Sequence, residues 1–385
     1  VRSTSQGGEP FVYDPVAPGF DHELYDIYRV LRDHHPVYVS PEGSYVLSRF
    51  ADVWEAVHNP ETFSSTCAEA DQLMPQMIYM DPPRHTALRS LVSRAFTPRR
   101  VAALEDRIRQ VARELLASMA GRDDVDLVHD LAAPLPSTVM ADLIGVPEEH
   151  REAFRGWTEA FLEVTGPQDI AERATNIYEL FGHLLEARRR APTDDLMSAL
   201  VAAEVDGAHL REDDLLGFCF LLLVAGNDTT ASLIGSGAEL LARHRRARAD
   251  LVADPTGIPM AVEEMVRIES PTQALPRTAT EDVELHGVTI PKGARVMLLW
   301  GSANHDEREF PDPERFDIHR DAARHLGFGH GAHFCIGAPL ARLEARVAFE
   351  ELLAAMPEYQ IVGDPEHYVS NWARAWRVLP AEAAA

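Results

Sequence analysis

Cys335 lies in Phe328-Gly329-His330-Gly331-Ala332-His333-Phe334-Cys335-Ile336-Gly337, a loop whose residue types suit the presentation of one sulfur atom. Gly329 and Gly331 let the backbone turn tightly and approach another group, and Gly337 lets a following helix pack against the same object. A cysteine at a helix start is favoured as thiolate, because free backbone N–H groups and the helix dipole stabilise negative charge. The same N–H groups can hydrogen-bond the sulfur and tune its electron donation to a metal. Most lone cysteines are small buried hydrophobes, and Cys219, inside an apolar run, and Cys67 read that way. A nucleophile is a second reading for Cys335, although the loop offers no Asn or Asp to orient His333. Zinc is a third, and only His330 and His333 are near enough in sequence to join the sulfur.

Three other segments carry residues spaced for shared work. Around Ala225-Gly226-Asn227-Asp228-Thr229-Thr230, helical spacing sets Leu222, Ala225, Gly226 and Thr229 on one stripe. The stripe is small in the middle with a hydroxyl beyond. That suits close helix packing, or a groove over a flat cofactor with room for dioxygen. Asp228 and Thr229 could then deliver protons by way of water. Glu264 and Arg267 are spaced i,i+3 on a helical face, where an exposed pair contributes only ~0.2–0.5 kcal/mol. In the segment 81–89, Pro82 and Pro83 stop the preceding chain, and His85 and Arg89 project together at i,i+4. Taken alone, that is a solvated basic turn.

The elements that must position these residues are mainly helical with a minor strand region. Residues 24–35 alternate in the helical manner, and 36–50 read as two short strands around a Pro-Glu-Gly turn. From Asp81 to about His244 the pattern is overwhelmingly helical, broken by short Pro/Gly/Asp stretches. From Arg277 the period changes to two, with Gly287 and Pro291-Lys292-Gly293 as turns. A loop too long to be idle leads to Cys335, a helix restarts behind it, and the tail resembles a closing hairpin. No repeat or linker divides the chain. It reads as one unit over 1–385, with a mixed part at about 1–80, a helical core at about 81–275, and late strands, loop and final helix at about 276–385.

Composition bounds the function. The chain has 385 residues, 46 % hydrophobic and 25 % charged, with a net charge of −25 from 61 acids and 36 Lys+Arg. That is enough for one large core, and no basic field favours nucleic acid or acidic membrane. Its longest apolar run is far short of the ~20 residues a membrane span needs, and its start carries no apolar signal segment. Three cysteines exclude a disulfide scaffold. A cytoplasmic enzyme is expected.

The pattern Phe328-x-x-Gly331-x-His333-x-Cys335-x-Gly337 resembles the haem-binding signature of the cytochrome P450 family. The other segments fall in the family's order. The resemblance implies the P450 fold with a long central helix over haem b, and Cys335 as the axial iron ligand. Phe328 would pack beside the sulfur, with Gly337 also against the cofactor. His85, Arg89, Arg277 and His333 would hold the haem propionates, a sensible charge balance for two carboxylates. Ala225 and Gly226 would form the oxygen groove, with Asp228 and Thr229 as its acid–alcohol pair. Glu264 and Arg267 would be buried and joined by Arg315 in a folding network, where breaking the set costs about 3–5 kcal/mol.

The implied reaction is that of a monooxygenase. One atom of O2 enters a lipophilic small molecule by hydroxylation or epoxidation, and the other leaves as water. Terpenoid, steroid, macrolide and fatty acyl compounds fit. Pocket walls are expected from 73–80, including Met77 and Met80, and from Phe218, Leu222, Thr272, Leu275 and Trp372. Electrons would come from a separate ferredoxin or flavodoxin with an NAD(P)H-dependent reductase, since the chain has no flavin fingerprint or iron–sulfur spacing. Arg84, Arg89, Arg94, Arg99 and Arg100, widened by Arg342 and Arg346, would form a basic patch for an acidic donor. A monomer is expected. The alternatives are a peroxide-dependent or rearranging haem-thiolate enzyme, and a haem-based binding or sensor protein. The Asp228-Thr229 pair disfavours rearrangement.

Overall fold

The computed structural model describes residues 11–67, 74–93, 96–162, 167–193, 195–205 and 208–383. Helices dominate it, and the longest, Glu212–Arg243, runs through the middle. Glu212, Asp213 and Asp214 occupy the first turn of this central helix, where acids complement the helix dipole. Most of its length is buried. By length and composition this helix could cross a membrane, but 67 % of its apolar window is covered by the protein's own core. Gly237 is required by packing, since a Cβ there would meet Phe349 Cζ at 2.4 Å. The central helix and the helix Ala338–Ala355 behind Cys335 therefore approach closely.

A five-stranded sheet has the order Val37–Val39, Tyr45–Leu47, Arg295–Leu299, Ala274–Ala279, Phe63–Ser64. Its pairs are antiparallel except Tyr45–Leu47 with Arg295–Leu299, which run parallel. Because side chains alternate along a strand, Leu275 and Arg277 share one face of Ala274–Ala279, with Val296 opposite Arg277. The two early strands and the late strands Ala274–Ala279 and Arg295–Leu299 thus share one sheet with its own apolar core, while Val283–Leu285 and Val288–Ile290 pair as a separate hairpin. The tail closes as expected, Tyr359–Ile361 pairing with Pro380–Ala383 and Glu366–His367 with Trp376–Val378. Short strands inside the helical stretch, Val125–Asp126 and Glu204–Val205 with Ala208–His209, lack a local sequence signal. The first of them pairs with the tail, more than two hundred residues away.

Candidate active site at the cysteine loop

Two glycines give the loop its shape. Gly329 and Gly331 have φ of +64° and +66°, in the left-handed region where a side chain is strained. At Gly331 a Cβ would also meet the carbonyl oxygen of Val57 at 2.5 Å. The Cys335 N–H donates to the Phe328 carbonyl at 2.8 Å and closes the loop. Burial, the largest influence, pushes the thiol above its ordinary range, while N–H groups of Gly337 and Ala338, then Arg89 and Arg342, draw it down. A cation facing the sulfur tips such a balance to thiolate. Gly337 has an ordinary backbone, and a Cβ there would meet only the Cys335 sulfur, at 3.8 Å.

The sulfur faces a cavity of about 190 Å³. Ala225, Gly226, Thr229 and Leu222 line it from the central helix, and Leu275 and Arg277 from the sheet. The Thr229 hydroxyl donates to the Ala225 carbonyl at 2.8 Å. Gly226 serves packing as well as the cavity, since a Cβ there would meet Met140 Cε at 2.2 Å. At one pole, His85 and His333 lie with ring centroids 4.1 Å apart. His85 is buried, and neither of its ring nitrogens has a partner among the described residues. The His333 Nε2 is 3.0 Å from the Ser65 hydroxyl, and burial, then His85, Arg277 and Arg89, press its pKa down to about 3. Arg89 donates to the Phe334 carbonyl, and Arg277, 5 % exposed, to the Pro276 carbonyl at 2.7 Å. Neither guanidinium forms an ion pair among the described residues.

The sequence profile described as Cytochrome P450 matches residues 238–356. Cytochrome P450 130 of Mycobacterium tuberculosis is 42 % identical over 358 residues, 87 % of this chain and 88 % of that protein. Cytochrome P450 monooxygenase PikC of Streptomyces venezuelae is 40 % identical over 410 residues, 99 % of this chain and 97 % of its own. A mutant of P450 EryK, solved in complex with erythromycin B, superposes with a TM-score of 0.90 at 37 % identity, covering 95 % of this chain and 97 % of that one. The chain belongs to the cytochrome P450 family. It is accordingly a P450 monooxygenase that binds haem b through a cysteine thiolate and uses O2 as co-substrate.

The residues present fit that cofactor. A buried guanidinium, Arg277, and a half-buried one, Arg89, have no carboxylate partner among the described residues and lie beside a histidine with both nitrogens unsatisfied there, which is unfavourable unless an anion joins them. The same largely apolar cavity has a cysteine, Cys335, on its wall, the donor type that a haem-thiolate site requires.

This P450 departs from the sequence reading at several residues. Arg315 is not in the ion-pair network. Its side chain is 70 % exposed and, among the described residues, pairs only with Asp317, at 3.7 Å. Arg320 takes the place, with Nε 3.0 Å from Glu264. A turn in which the Arg315 N–H donates to the Asp312 carbonyl at 3.0 Å carries the chain round, and Arg320 returns beneath it. There it also donates to the carbonyls of Pro311, Asp312 and Arg315. Glu264 and Arg267 are fully buried and doubly bonded, at 2.7 and 2.9 Å. Asp228 does not line the main cavity; it borders a smaller one with Asn227.

In the pocket wall, Met77, Phe218, Leu222, Thr272 and Leu275 line the cavity, whereas Met80 and Trp372 do not. Met80 follows the Met77–Tyr79 turn in extended backbone, and its carbonyl is what meets His333. The Trp372 carbonyl accepts from Gln273 N–H at 2.7 Å, and the side chain packs with Ala373 and Ala375. The segment 68–73, with Leu73, lies outside the described residues, as does Arg94.

Most of the expected basic patch is spent on other contacts. Arg84 pairs with Asp214, and Arg89 lies in the cavity wall. Arg342 pairs with Glu263 at 2.6 Å, and Arg346 with Glu105 at 2.6 Å and Glu350 at 2.8 Å. Arg99 and Arg100 remain exposed, without an ion pair among the described residues. Wall residues the sequence reading omitted include Phe96, Met140, Trp300 and Glu344. Glu344 is 2 % exposed, and burial pushes its carboxyl up to about 8. Its signal was an acid sharing the apolar face of Leu340 and Val347, four and three residues away.

Proposed function

We propose that this P450 oxidises a bulky lipophilic small molecule beside a haem held by Cys335, with electrons from a separate ferredoxin or flavodoxin and its reductase. The observation that carries this reading is the polarity of the cavity. One pole gathers Arg89, Arg277, His85 and His333 around an anion site, and the remaining wall is largely apolar, from Met77, Phe218, Leu222, Leu275 and Met140. Arg89 and Arg277 would bind the haem carboxylates, with His85 and His333 donating alongside. Gly337 and Ala338 would hold the sulfur through their N–H groups, limiting its charge. Haem bound there supplies reductive activation of O2 and insertion of one oxygen atom.

The chain's own contribution is orientation, exclusion of water and proton supply. The apolar walls would exclude bulk water and orient the substrate through shape, as Met77 and Met140 adapt to it. Ala225 and Gly226 keep the central helix slim where dioxygen must fit. The Thr229 hydroxyl would turn from the Ala225 carbonyl to hold a proton toward the cavity, and Asp228 would renew that proton. Erythromycin B, bound in the EryK relative, is an example of the bulk such a pocket can take. A cytoplasmic location is part of this proposal.

The deciding measurement is the reduced carbon-monoxide spectrum. The purified chain should show the red-shifted Soret band of thiolate-ligated haem, and Cys335→Ala should lose it. A chain that takes up no haem on reconstitution would overturn the reading. Spectral titration with a library of terpenoids, steroids, macrolides and fatty acids, followed by product analysis, then identifies the substrate. A preference confined to small charged metabolites would defeat the lipophilic assignment.

A further inference from the structure

Behind the central helix lies a second cavity of about 20 Å³, enough for a single water molecule. Asn227 and Asp228 border it from the helix, Trp376 from the tail, and His129 from the π-helical turn Val128–Ala132. Asn227 is 2 % exposed, and both its amide nitrogen and its amide oxygen lack a partner among the described residues. The Trp376 Nε1 is likewise buried without one. An unsatisfied buried polar group is costly, so three in one small space strongly favour a shared ligand. The ligand must both donate and accept, and must be small. Water meets all three conditions, with the two to four polar partners that a buried water needs.

We infer that this cavity binds one ordered water and that Asn227 is its positioning residue, presenting the water to the Asp228 carboxyl as the last step of proton entry from solvent. The inference rests on the proposed role of Asp228. His129, whose side chain is 54 % exposed, lies between the cavity and bulk water. When Asp228 gives up its proton toward Thr229, the water donates one to the carboxylate and takes one from the solvent side. The water is regenerated and one proton has moved. Asn227 never changes protonation; its amide fixes the water's orientation through one donated and one accepted hydrogen bond. Adjacent helical positions point about 100° apart, so Asp228 can address this chamber while Thr229 faces the main cavity.

The first test is a crystal structure of the haem-loaded enzyme at a resolution that shows waters. One water within hydrogen-bond distance of the Asn227 amide is expected, and a dry cavity would overturn the inference. The second compares Asn227→Leu, which fills the chamber with apolar atoms, with Asn227→Ser, which keeps a polar group and leaves room for water. Substrate-free NADPH oxidation, driven by a surrogate ferredoxin and its reductase, yields hydrogen peroxide or water according to how many protons reach oxygen. Asn227→Leu should raise the peroxide share several-fold and alter the solvent deuterium isotope effect, and Asn227→Ser should restore both. Identical peroxide shares in the wild type and Asn227→Leu would sink it. The carbon-monoxide band of each preparation separates this outcome from failure of the haem-thiolate reading itself. If Asn227→Leu fails to load haem, the wild-type water density and Asn227→Ser still decide.

Discussion

Buried charge takes two forms in this P450, distinguished by what completes it. Glu264 and Arg267 are finished by the chain. All three guanidinium nitrogens of Arg267 are bonded, to Glu264 and to the carbonyls of Asn304 and Pro313, and Arg320 caps Glu264. Half-buried Arg89 and buried Arg277 have one carbonyl bond each among the described residues, and His85 has none. The first cluster closes the helix Ile258–Glu269 against the loop before the cysteine, so its worth lies in stability. The second is unfavourable until an anionic ligand arrives, so its worth lies in binding. Completeness of hydrogen bonding thus separates scaffold from site more sharply than burial does.

The largest effect should come from opening the finished cluster. Arg267→Ala strands a fully buried Glu264 and should cost about 3–5 kcal/mol, read as a fall in thermal unfolding temperature together with haem content. Arg320→Ala should cost less, because one of several bonds to Glu264 goes and the position is partly exposed. Arg315→Ala should stay within about 0.5 kcal/mol of the parent. A ranking with Arg315 above Arg320 would return the network to the sequence-derived assignment.

Opening the unfinished cluster should have the opposite signature. Arg277→Leu removes a buried, unpaired charge, so the haem-free chain should lose no stability. Haem retention should weaken on the order of ten- to a hundred-fold, from the loss of a charge-assisted bond worth about 1.5–3 kcal/mol. Transfer of haem to apomyoglobin measures it directly. Equal retention in the variant and the parent would break the contrast between the two clusters.

Glu344 avoids buried charge altogether, because it keeps its proton. A carboxyl raised from 4.5 to about 8 on folding makes the folded state bind more protons than the unfolded one. Its contribution is therefore intact below pH 4.5 and is lost progressively as pH rises toward 8. Glu344→Gln should match the parent near pH 5 and gain on it by up to about 1.4 kcal/mol per pH unit above that. Thermal unfolding across pH 5–8 gives the curve, and a constant difference would show that the carboxyl ionises freely.

Much of this was legible from sequence where one local feature dictates the outcome. The cysteine loop needs glycines at two left-handed positions and a close approach to Val57, which few other residue types allow. The change of period near 277 marked the late strands, because alternation is a property of each strand by itself. What escaped depends on direction and partners. Arg315 and Arg320 sit in one loop, and only the turn at 312–315 decides which points inward. Asp228 adjoins Thr229 in sequence, yet neighbouring positions on a helix do not share a face. The arginines looked like a continuous basic face because Asp214, Glu263 and Glu105 reach them from elsewhere in the chain, and only Glu350 lies one turn from its arginine.

That neutralisation leaves Arg99 and Arg100, on the short helix Pro98–Ala102 that packs against the cysteine helix, as exposed positive charge in a strongly acidic protein. Two exposed charges contribute little affinity, but they can raise the encounter rate of an acidic electron donor, an effect that salt screens over about 8–10 Å. Arg99→Glu combined with Arg100→Glu should slow reduction by a surrogate ferredoxin several-fold at low ionic strength. The difference should fade as salt rises, with haem content and stability unchanged, since both side chains are exposed and neither forms an ion pair among the described residues. Stopped-flow reduction at several salt concentrations reads it. A rate indifferent to both salt and the double substitution would mean that the donor approaches through apolar contact or elsewhere on the surface. A defect that persisted at high salt would place these arginines in a desolvated contact, closer in kind to Arg267 than to a steering charge.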